Sequence, residues 1–540
     1  MAQKFEDRVK SIKIVIFQEK YKEALEIINK EMKAQSSSEE RMKSLLELKA
    51  IAFSEMDHLE ESLKCLSLNN KIVNDLLYKK LKDQLLIESN LPKSEEENQK
   101  IRNFLKWVRK NDTKYSKLKL VYYSLDFRGI HASSSIKKNE IFLRVPLKLI
   151  ITESLGKTSC ELGKKLFESK IEISYTYLVY ITLFILEKEK MNDQFWKPYL
   201  DVIPRTVSSF PLFYNEEEIK MLKGCEILDN YFDDKKWYED NYNLICSIVP
   251  QFHEYSKQKF MEIMTIVQSR IFFVRYNDKE SEYMVVPLAD MFNYEYSKYN
   301  QCYWDFNKKS QYFEVKAKEN IERGESIIED YGRKSMLNYL YYYGFIEPST
   351  DLVSVRLTFK NFKNQNNFEI LTIDNNSTMS LEFLNDFDKK RNTRNLTKLR
   401  FALYEEDLQE YLKDKEDLFK EINNHYTYVK AIHYFISLKN EILMLNTLKN
   451  TCIEKLTTYC TSLEEDLNKQ NCIDKMTENQ RNIFRVLFEQ KKLLNDLIAL
   501  SNEGLQCLLN PLSYNYSLDS KFSFYISKLI EHFKPSENND

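Results

Sequence analysis

The spacing of hydrophobic residues divides the chain into helical and strand-rich stretches. They recur at helical spacing through the first 88 residues, from about 152 to 270 and from about 375 to 535. Elsewhere, short β-prone runs bounded by turn residues predict strands at Leu120–Tyr123, Gly129–Ala132, Glu140–Val145, Tyr283–Val286, Tyr312–Val315, Ser326–Glu329 and Leu352–Leu357. The pattern predicts an α+β fold, with a strand-rich unit over 105–347 that a helical insertion over about 152–270 interrupts, and a helical domain over 351–535.

The helical extension over residues 1–95 contains an internal repetition. Segments 20–28 and 58–66 align at an offset of 38 residues, and both place a small residue before a leucine. This is similar to the second helix of a tetratricopeptide repeat, whose period is about 34 residues. A plain helical hairpin is the alternative, because about three repeats are needed for a stable stack.

Charge is nearly balanced over the 540 residues, with 80 basic against 82 acidic side chains and a formal net charge of −2. This excludes a strongly basic nucleic-acid-binding chain and an acidic disordered tail. A short basic run, Lys389-Lys390-Arg391, predicts either a nuclear localisation signal or a solvated helix face.

The nine cysteines form no CxxC or CxC pair, and there are only six histidines, so no metal site is expected. Reduced cysteines are typical of an intracellular protein. The first ten residues are charged, and no stretch approaches the roughly 18 apolar residues of a membrane span. We therefore expect a cytoplasmic or nuclear protein that binds neither membranes nor nucleic acid.

Four sets of segments, in order, resemble the SET-domain protein methyltransferases of the Rubisco large-subunit lysine methyltransferase class, which includes the actin-histidine methyltransferase. They are Arg128–Ala132 with Lys138–Pro146, Phe195–Pro204 with Pro211–Tyr214, Pro287–Tyr294, and Glu329–Gly332 with Tyr343–Glu347. A fifth segment, Tyr459–Asp466, is similar to the signature of that class's helical substrate-binding domain. The resemblance covers roughly residues 105 to 535.

The resemblance implies a SET-type β fold with a long helical insertion, followed by an all-α substrate-binding domain. It implies an enzyme that transfers methyl groups from S-adenosylmethionine to a nitrogen of a non-histone protein. The substrate protein would dock on the C-terminal helical domain. Independently of the resemblance, the repeat-like pattern of the N-terminal helices predicts that they recruit a protein partner.

The same resemblance assigns roles to individual residues. Tyr331 corresponds to the catalytic tyrosine, whose hydroxyl orients the nucleophile. Asn293 corresponds to the cofactor-binding asparagine, and Tyr294 stands where the family has histidine. Asp290 is expected to support this loop, and Tyr343 to be a cofactor wall or a core residue. The full cofactor set is Glu140, Phe142, Arg270, Asp290, Asn293, Tyr294, Tyr331 and Tyr343.

Three residues favour lysine as the methylated side chain. Arg270 and Phe272 follow the pattern of the lysine-directed relatives, in which the phenylalanine walls the substrate channel, and Ala289 stands where the histidine-directed branch has tryptophan. An apolar wall suits a lysine stem, whereas an imidazole would leave a buried donor unpaired at about 1–3 kcal/mol. Actin-histidine methylation is the first alternative. A catalytically weak interaction scaffold is the second, supported by Tyr294.

Overall fold

A computed structural model describes residues 8–9, 11–12, 21–34, 45–46, 48–49, 95–115, 117–123, 127–275, 280–295, 301–360, 362–363, 378–385, 390–406, 408–413, 434–510 and 521–533. Most of the predicted extension, including segment 58–66, and Lys389 of the basic run lie outside these residues. The tetratricopeptide interpretation therefore stays a prediction. In the described part, Ile28 packs with Ile12, Leu45 and Leu48 in a small hydrophobic cluster.

Most described helices lie in the stretches predicted to be helical, whereas those at 95–110 and 336–343 lie outside them. The described helices are α1 Tyr21–Ala34, α2 Glu95–Lys110, α3 Glu153–Thr158, α4 Glu161–Glu168, α5 Thr176–Lys190, α6 Lys197–Leu200, α7 Glu216–Met221, α8 Glu226–Ile248, α9 Lys257–Gln268, α10 Met336–Tyr343, α11 Lys390–Ala402, α12 Leu408–Leu412, α13 Leu438–Thr458, α14 Leu463–Lys469, α15 Glu478–Leu509 and α16 Ser523–Phe533.

The described strands are β1 Leu118–Tyr122, β2 Arg128–Ala132, β3 Ile141–Pro146, β4 Ile151–Thr152, β5 Ile271–Arg275, β6 Ser281–Val285, β7 Cys302–Asn307, β8 Tyr312–Ala317, β9 Ser354–Phe359 and β10 Met379–Leu384. They form antiparallel sheets with the orders β1-β2, β3-β8-β7, β4-β6-β5 and β10-β9. The mixed α+β class is confirmed.

The predicted strand pattern needs correction in several places. Ser326–Glu329 is not a strand, because it makes only isolated bridges, from Ser326 to His131 and from Ile328 to Asn293. Strand β10 lies in a stretch that was predicted to be helical. Strand β5 is not among the predicted strands. It follows α9 after only two residues, so the apolar residues of the helix and the strand form one continuous run that helical spacing alone does not divide.

The chain divides into two compact units. The N-terminal unit comprises Met1–Arg205 and Ile248–Gly332, and the C-terminal unit comprises Thr206–Ser247 and Arg333–Asp540. Part of the helical insertion, residues 206–247, thus groups with the C-terminal helices rather than with the strand-rich unit that it interrupts.

The Tyr459–Asp466 signature forms part of a buried polar network in the C-terminal unit. Lys491 on α15 donates hydrogen bonds to Asp466 Oδ2 at 2.6 Å and to Thr461 Oγ1 at 2.8 Å. The Tyr459 hydroxyl donates to Gln490 Oε1 at 3.1 Å. Since all of these side chains except the half-buried Thr461 are almost fully buried, the signature stabilises the packing of α14 and the end of α13 against α15.

Among the residues that the structure describes, no helix combines the length and apolar character needed to cross a membrane.

Candidate functional site

Tyr331 and the cofactor-motif loop, far apart in sequence, are hydrogen-bonded in the N-terminal unit. The Tyr331 hydroxyl donates to the Phe292 carbonyl at 2.8 Å. The Glu329 backbone N–H donates to the Asn293 carbonyl at 2.9 Å. The Tyr331 ring also stacks on Tyr294, with centroids 5.4 Å apart and planes at 25°. Three of the predicted site residues, Asn293, Tyr294 and Tyr331, therefore lie together.

The Arg128-Gly129 segment lies directly against the side chain of Asn293. The Asn293 amide donates to the Arg128 carbonyl at 2.8 Å. A Cβ atom at Gly129 would lie 2.6 Å from Asn293 Nδ2 and 2.7 Å from the Tyr123 hydroxyl, so only glycine permits this approach. The Arg128 guanidinium donates to the Val202 carbonyl at 2.6 Å, which ties the insertion motif to the same place.

Asp290 joins two further motifs. Its Oδ2 accepts from the Tyr199 hydroxyl at 2.7 Å and from Arg270 Nη1 at 3.2 Å, and Arg270 Nη1 also donates to the Asp290 carbonyl at 2.6 Å. Burial, and then the charge of Asp290, raises the pKa of Tyr199 well above its usual value, so the phenol stays a donor. Asp290 Oδ1 and Arg270 Nε are buried without a hydrogen-bond partner among the described residues.

The loop that carries Asp290 and Asn293 begins in a strained conformation. Leu288 has φ 75° and ψ −43°, a region that residues other than glycine rarely adopt. Such a residue costs roughly 1–3 kcal/mol and persists only where its surroundings hold it. Leu288 is almost completely buried, so packing supplies that constraint.

Glu329 is a buried acid close to Tyr331 in the same motif, and the sequence pattern assigns it no role. Burial, followed by the charges of Asp290 and Asp330, raises its pKa well above the usual range, although the Trp304 side chain donates a hydrogen bond to it. Its buried, acidic surroundings therefore favour the protonated form of this carboxyl.

Phe272, the predicted wall of the substrate channel, lies in an aromatic cluster. It is 5% exposed, and its centroid lies 5.3 Å from that of Trp304 and 5.1 Å from that of Phe313, both edge-on. Ala289 is buried in the short 3-10 turn that carries Asp290. The contacts of Phe272 are those of a core residue, and its role at a channel stays a prediction.

Glu140 and Phe142 differ in their surroundings. The Phe142 ring packs edge-on against Phe292, with centroids 6.0 Å apart, and so contacts the loop of the site. Glu140 accepts from Lys117 and from the backbone of Lys137, and these contacts, with Lys117 the stronger, lower its pKa. The structure therefore brings Phe142 to the loop, whereas the hydrogen bonds of Glu140 are to other residues.

Tyr343 belongs to the C-terminal unit, at the end of α10. Its ring lies 6.1 Å from Tyr339 and 6.2 Å from Phe345, and the Lys334 amine lies 5.7 Å from its centroid. Its predicted contact with a cofactor stays a prediction. In the part of the chain that the structure describes, no group of three or more His, Cys, Asp or Glu is arranged to hold a metal ion.

Comparison with solved structures identifies the fold. The SET domain of LSMT bound to lysine and AdoHcy matches with a TM-score of 0.61 and 18% identity, over 77% of this chain and 94% of that one. Rubisco LSMT bound to AdoMet matches with a TM-score of 0.60 and 18% identity, over 77% and 94%. Residues 361–494 match the family described as Rubisco LSMT substrate-binding. The chain has a SET fold followed by a Rubisco LSMT substrate-binding domain.

Curated relatives of this SET protein are named actin-histidine N-methyltransferase. Those of Mus musculus and Homo sapiens are 24% and 23% identical over 379 residues. The match covers 67% of this chain and 62% of each relative, so the chain spans somewhat less than two thirds of their length.

The sequence indicated the motifs, but it gave no role to several of the residues whose side chains connect one motif to another. Tyr199 and Arg128 lie within two of these motifs, and that position was the signal by which their roles could have been predicted. Glu329 stands two residues before Tyr331 in the Glu329–Gly332 motif, so its position in that motif was the available signal.

Proposed function

We propose that the chain is an S-adenosylmethionine-dependent protein N-methyltransferase. In this proposal the N-terminal unit carries out the reaction, and the C-terminal unit docks the substrate protein. The observation that carries it is the hydrogen bond from the Tyr331 hydroxyl to the Phe292 carbonyl, next to Asn293. The proposed catalytic hydroxyl is thus bonded to the residue that directly precedes Asn293, whose amide is proposed to bind the cofactor.

The residues of the loop suit this cofactor. Gly129 leaves a close backbone approach around the Asn293 amide, which a side chain would fill. Asp290 Oδ1 is a buried acceptor that the described residues leave unpartnered. Asn293, Tyr294 and the backbone of Arg270 would hold the cofactor. When bound, S-adenosylmethionine supplies an electrophilic methyl group on a sulfonium.

The hydrogen bond of Tyr331 defines what its hydroxyl does. A phenol has one proton, and here that proton is directed at the Phe292 carbonyl. Toward an incoming amine the oxygen therefore acts as an acceptor, and can align an N–H so that the nitrogen lone pair faces the methyl group. This is catalysis by positioning, which can account for several kcal/mol of the barrier.

We propose lysine as the methylated residue, because Phe272 and Ala289 give this region apolar side chains and because the LSMT structures were solved with lysine. Histidine is the second candidate, and the names of the curated relatives favour it. The N-terminal helices are proposed to recruit a protein partner.

Two measurements on the full-length chain test the proposal. Calorimetric titration with S-adenosylmethionine should show saturable binding, which Asn293→Ala should weaken and Tyr303→Phe, at an exposed tyrosine elsewhere in the unit, should not. Absence of binding would favour the scaffold alternative.

The second measurement identifies the product. A cell extract and purified actin are each incubated with the chain and isotope-labelled cofactor, and the labelled proteins are hydrolysed and analysed by mass spectrometry. Methyl-lysine is expected. Methyl-histidine as the main product would contradict the choice of lysine and leave the reaction class intact.

A further inference from the structure

Among the described side chains of helix α11, those that reach solvent are basic. From Arg391 to Ala402, every residue is buried except Arg391, Arg394 and Lys398. These three are spaced three and four residues apart, which places them on one face of the helix. We call them the basic stripe. It lies within the segment that matches the Rubisco LSMT substrate-binding family.

The other faces of α11 hold the basic stripe in a fixed orientation. Asn392 and Asn395 donate to the carbonyls of Leu384 and Glu382 on β10, both at 2.7 Å. On a further face, the fully buried Arg400 is paired with Glu441 on α13. A helix anchored on two sides by buried polar contacts loses little conformational entropy when a ligand meets its third side.

The cations of the basic stripe act on one another. The Arg391 guanidinium pairs with Glu382, the acid on β10. Burial, and then the charge of Arg391, lowers the pKa of Arg394. Burial, and then the charge of Arg394, lowers the pKa of Lys398. An anionic group that approaches the stripe therefore favours the charged form of Arg394 and Lys398.

We propose that the basic stripe docks an acidic segment of the substrate protein. That this partner is the substrate protein rests on the proposed function, whereas the binding of an acidic segment does not. Arg391 and Lys398 are seven residues apart, about 10 Å along the helix axis, which acidic side chains two to four residues apart on an extended segment can span. Nucleic acid is a poorer fit, since its binding commonly uses 6–10 phosphate contacts and a basic surface, and this chain has a net charge of −2.

The test uses the full-length chain and a fluorescein-labelled peptide of ten glutamates, with affinity measured by fluorescence anisotropy. The stripe variant replaces Arg391, Arg394 and Lys398 with glutamine. The control variant replaces Lys439, Lys492 and Lys528 with glutamine. Each of these lysines is paired with a local acid on the same unit, and the control removes the same net charge as the stripe variant. The stripe variant should bind about tenfold more weakly and the control close to wild type, because each surface ion pair contributes about 0.2–1 kcal/mol.

Charge reversal provides a test that does not depend on loss of binding. With glutamate at all three stripe positions, the chain should prefer a ten-lysine peptide to the ten-glutamate peptide. The proposal is overturned if both glutamine variants weaken binding equally, or if the stripe variant binds the peptide normally and merely unfolds at a lower temperature. Stripe-dependent binding of single-stranded RNA or phosphatidylserine vesicles that exceeds peptide binding would also overturn it.

Titration with S-adenosylmethionine on the same variants separates this proposal from the proposed function. The stripe variant should bind the cofactor as wild type does. A wild-type chain that binds the glutamate peptide through the stripe but not the cofactor would refute the methyltransferase and leave the docking surface standing. The reverse result would refute the docking surface alone.

Discussion

Each unit contains a buried carboxylate that is held by one arginine and one tyrosine, and the two arrangements differ in how completely they are satisfied. In the C-terminal unit, both oxygens of Glu441 accept from Arg400, and one also accepts from the Tyr525 hydroxyl. In the N-terminal unit, Asp290 uses one carboxylate oxygen for both Tyr199 and Arg270.

The arginines differ in the same sense. The side chains of Arg400 and Glu441 are both 0% exposed. Arg270 is 18% exposed and reaches Asp290 through a single nitrogen. Both tyrosines have a pKa well above the usual value, because of burial and then the adjacent carboxylate, so both are donors at neutral pH.

The difference shows how one set of residue types serves two purposes. A buried ion pair with every atom satisfied specifies packing and has nothing left to bind. A pair with a buried oxygen and a buried N–H unpartnered among the described residues costs stability that a purely structural site would not retain. Together with the strained Leu288, this supports the proposal that the Asp290 loop is a binding site.

Removing the arginine from each pair should give the largest effect. Arg400→Met leaves Glu441 buried and uncompensated, so the free energy of unfolding should fall by about 3–5 kcal/mol. Arg270→Met removes fewer contacts from a less buried pair and should cost about 1–2 kcal/mol. Urea denaturation of both variants measures this, and equal losses would contradict the distinction between a closed and an open pair.

The next effect is on rate rather than stability. Tyr331→Phe removes the hydroxyl that aligns the nucleophile, so single-turnover methyl transfer should slow by about 100-fold or more. The lost hydrogen bond to Phe292 should change the unfolding free energy by only about 0.5–1.5 kcal/mol. Tyr303→Phe, at an exposed position, is the control and should keep wild-type rates. An undiminished rate in Tyr331→Phe would remove this residue from the reaction.

The smallest effect concerns pH. Since the pKa of Glu329 is raised in the folded chain, the native state binds more protons than the unfolded state above about pH 4.3, and stability is lost as pH rises toward the folded-state value. Glu329→Gln does not titrate, so its stability relative to wild type should increase between about pH 4 and pH 8. Urea denaturation across this range measures the difference.

For Glu140→Gln, the change of stability with pH relative to wild type should have the opposite sign. The pKa of Glu140 is lowered by Lys117 and by the Lys137 backbone, so its contribution is complete above the unfolded-state pKa of about 4.3 and declines only as the pH falls below that value. This variant should therefore lose stability relative to wild type as the pH rises through about 4.3, and the difference should then stay constant up to about pH 8. The same slope for both variants would mean that the buried location of Glu329 does not control its ionisation.

Most of the fold could be predicted from the order of its helical and strand-rich stretches. One exception, at Ser326–Glu329, is instructive, since the β-prone run there bridges two different segments and joins no sheet. At the site, the motifs indicated Asn293, Tyr294 and Tyr331, and the structure places them together. The sequence shows that Phe272 is apolar, but it does not show that Phe272 packs between Trp304 and Phe313. Those two residues lie on strands β7 and β8, and local periodicity does not connect these strands to β5.

The sequence by itself determined which residues are available and in what order, because hydrophobic spacing, turn residues and motif composition are local properties. Only the tertiary structure decided that Tyr199, Arg128, Asp290 and Glu329 meet around one loop, that Glu329 is buried, and that every exposed position along Arg391–Ala402 is basic. The physical reason is that burial, pKa and hydrogen-bond satisfaction depend on neighbours that are up to about two hundred residues away along the chain.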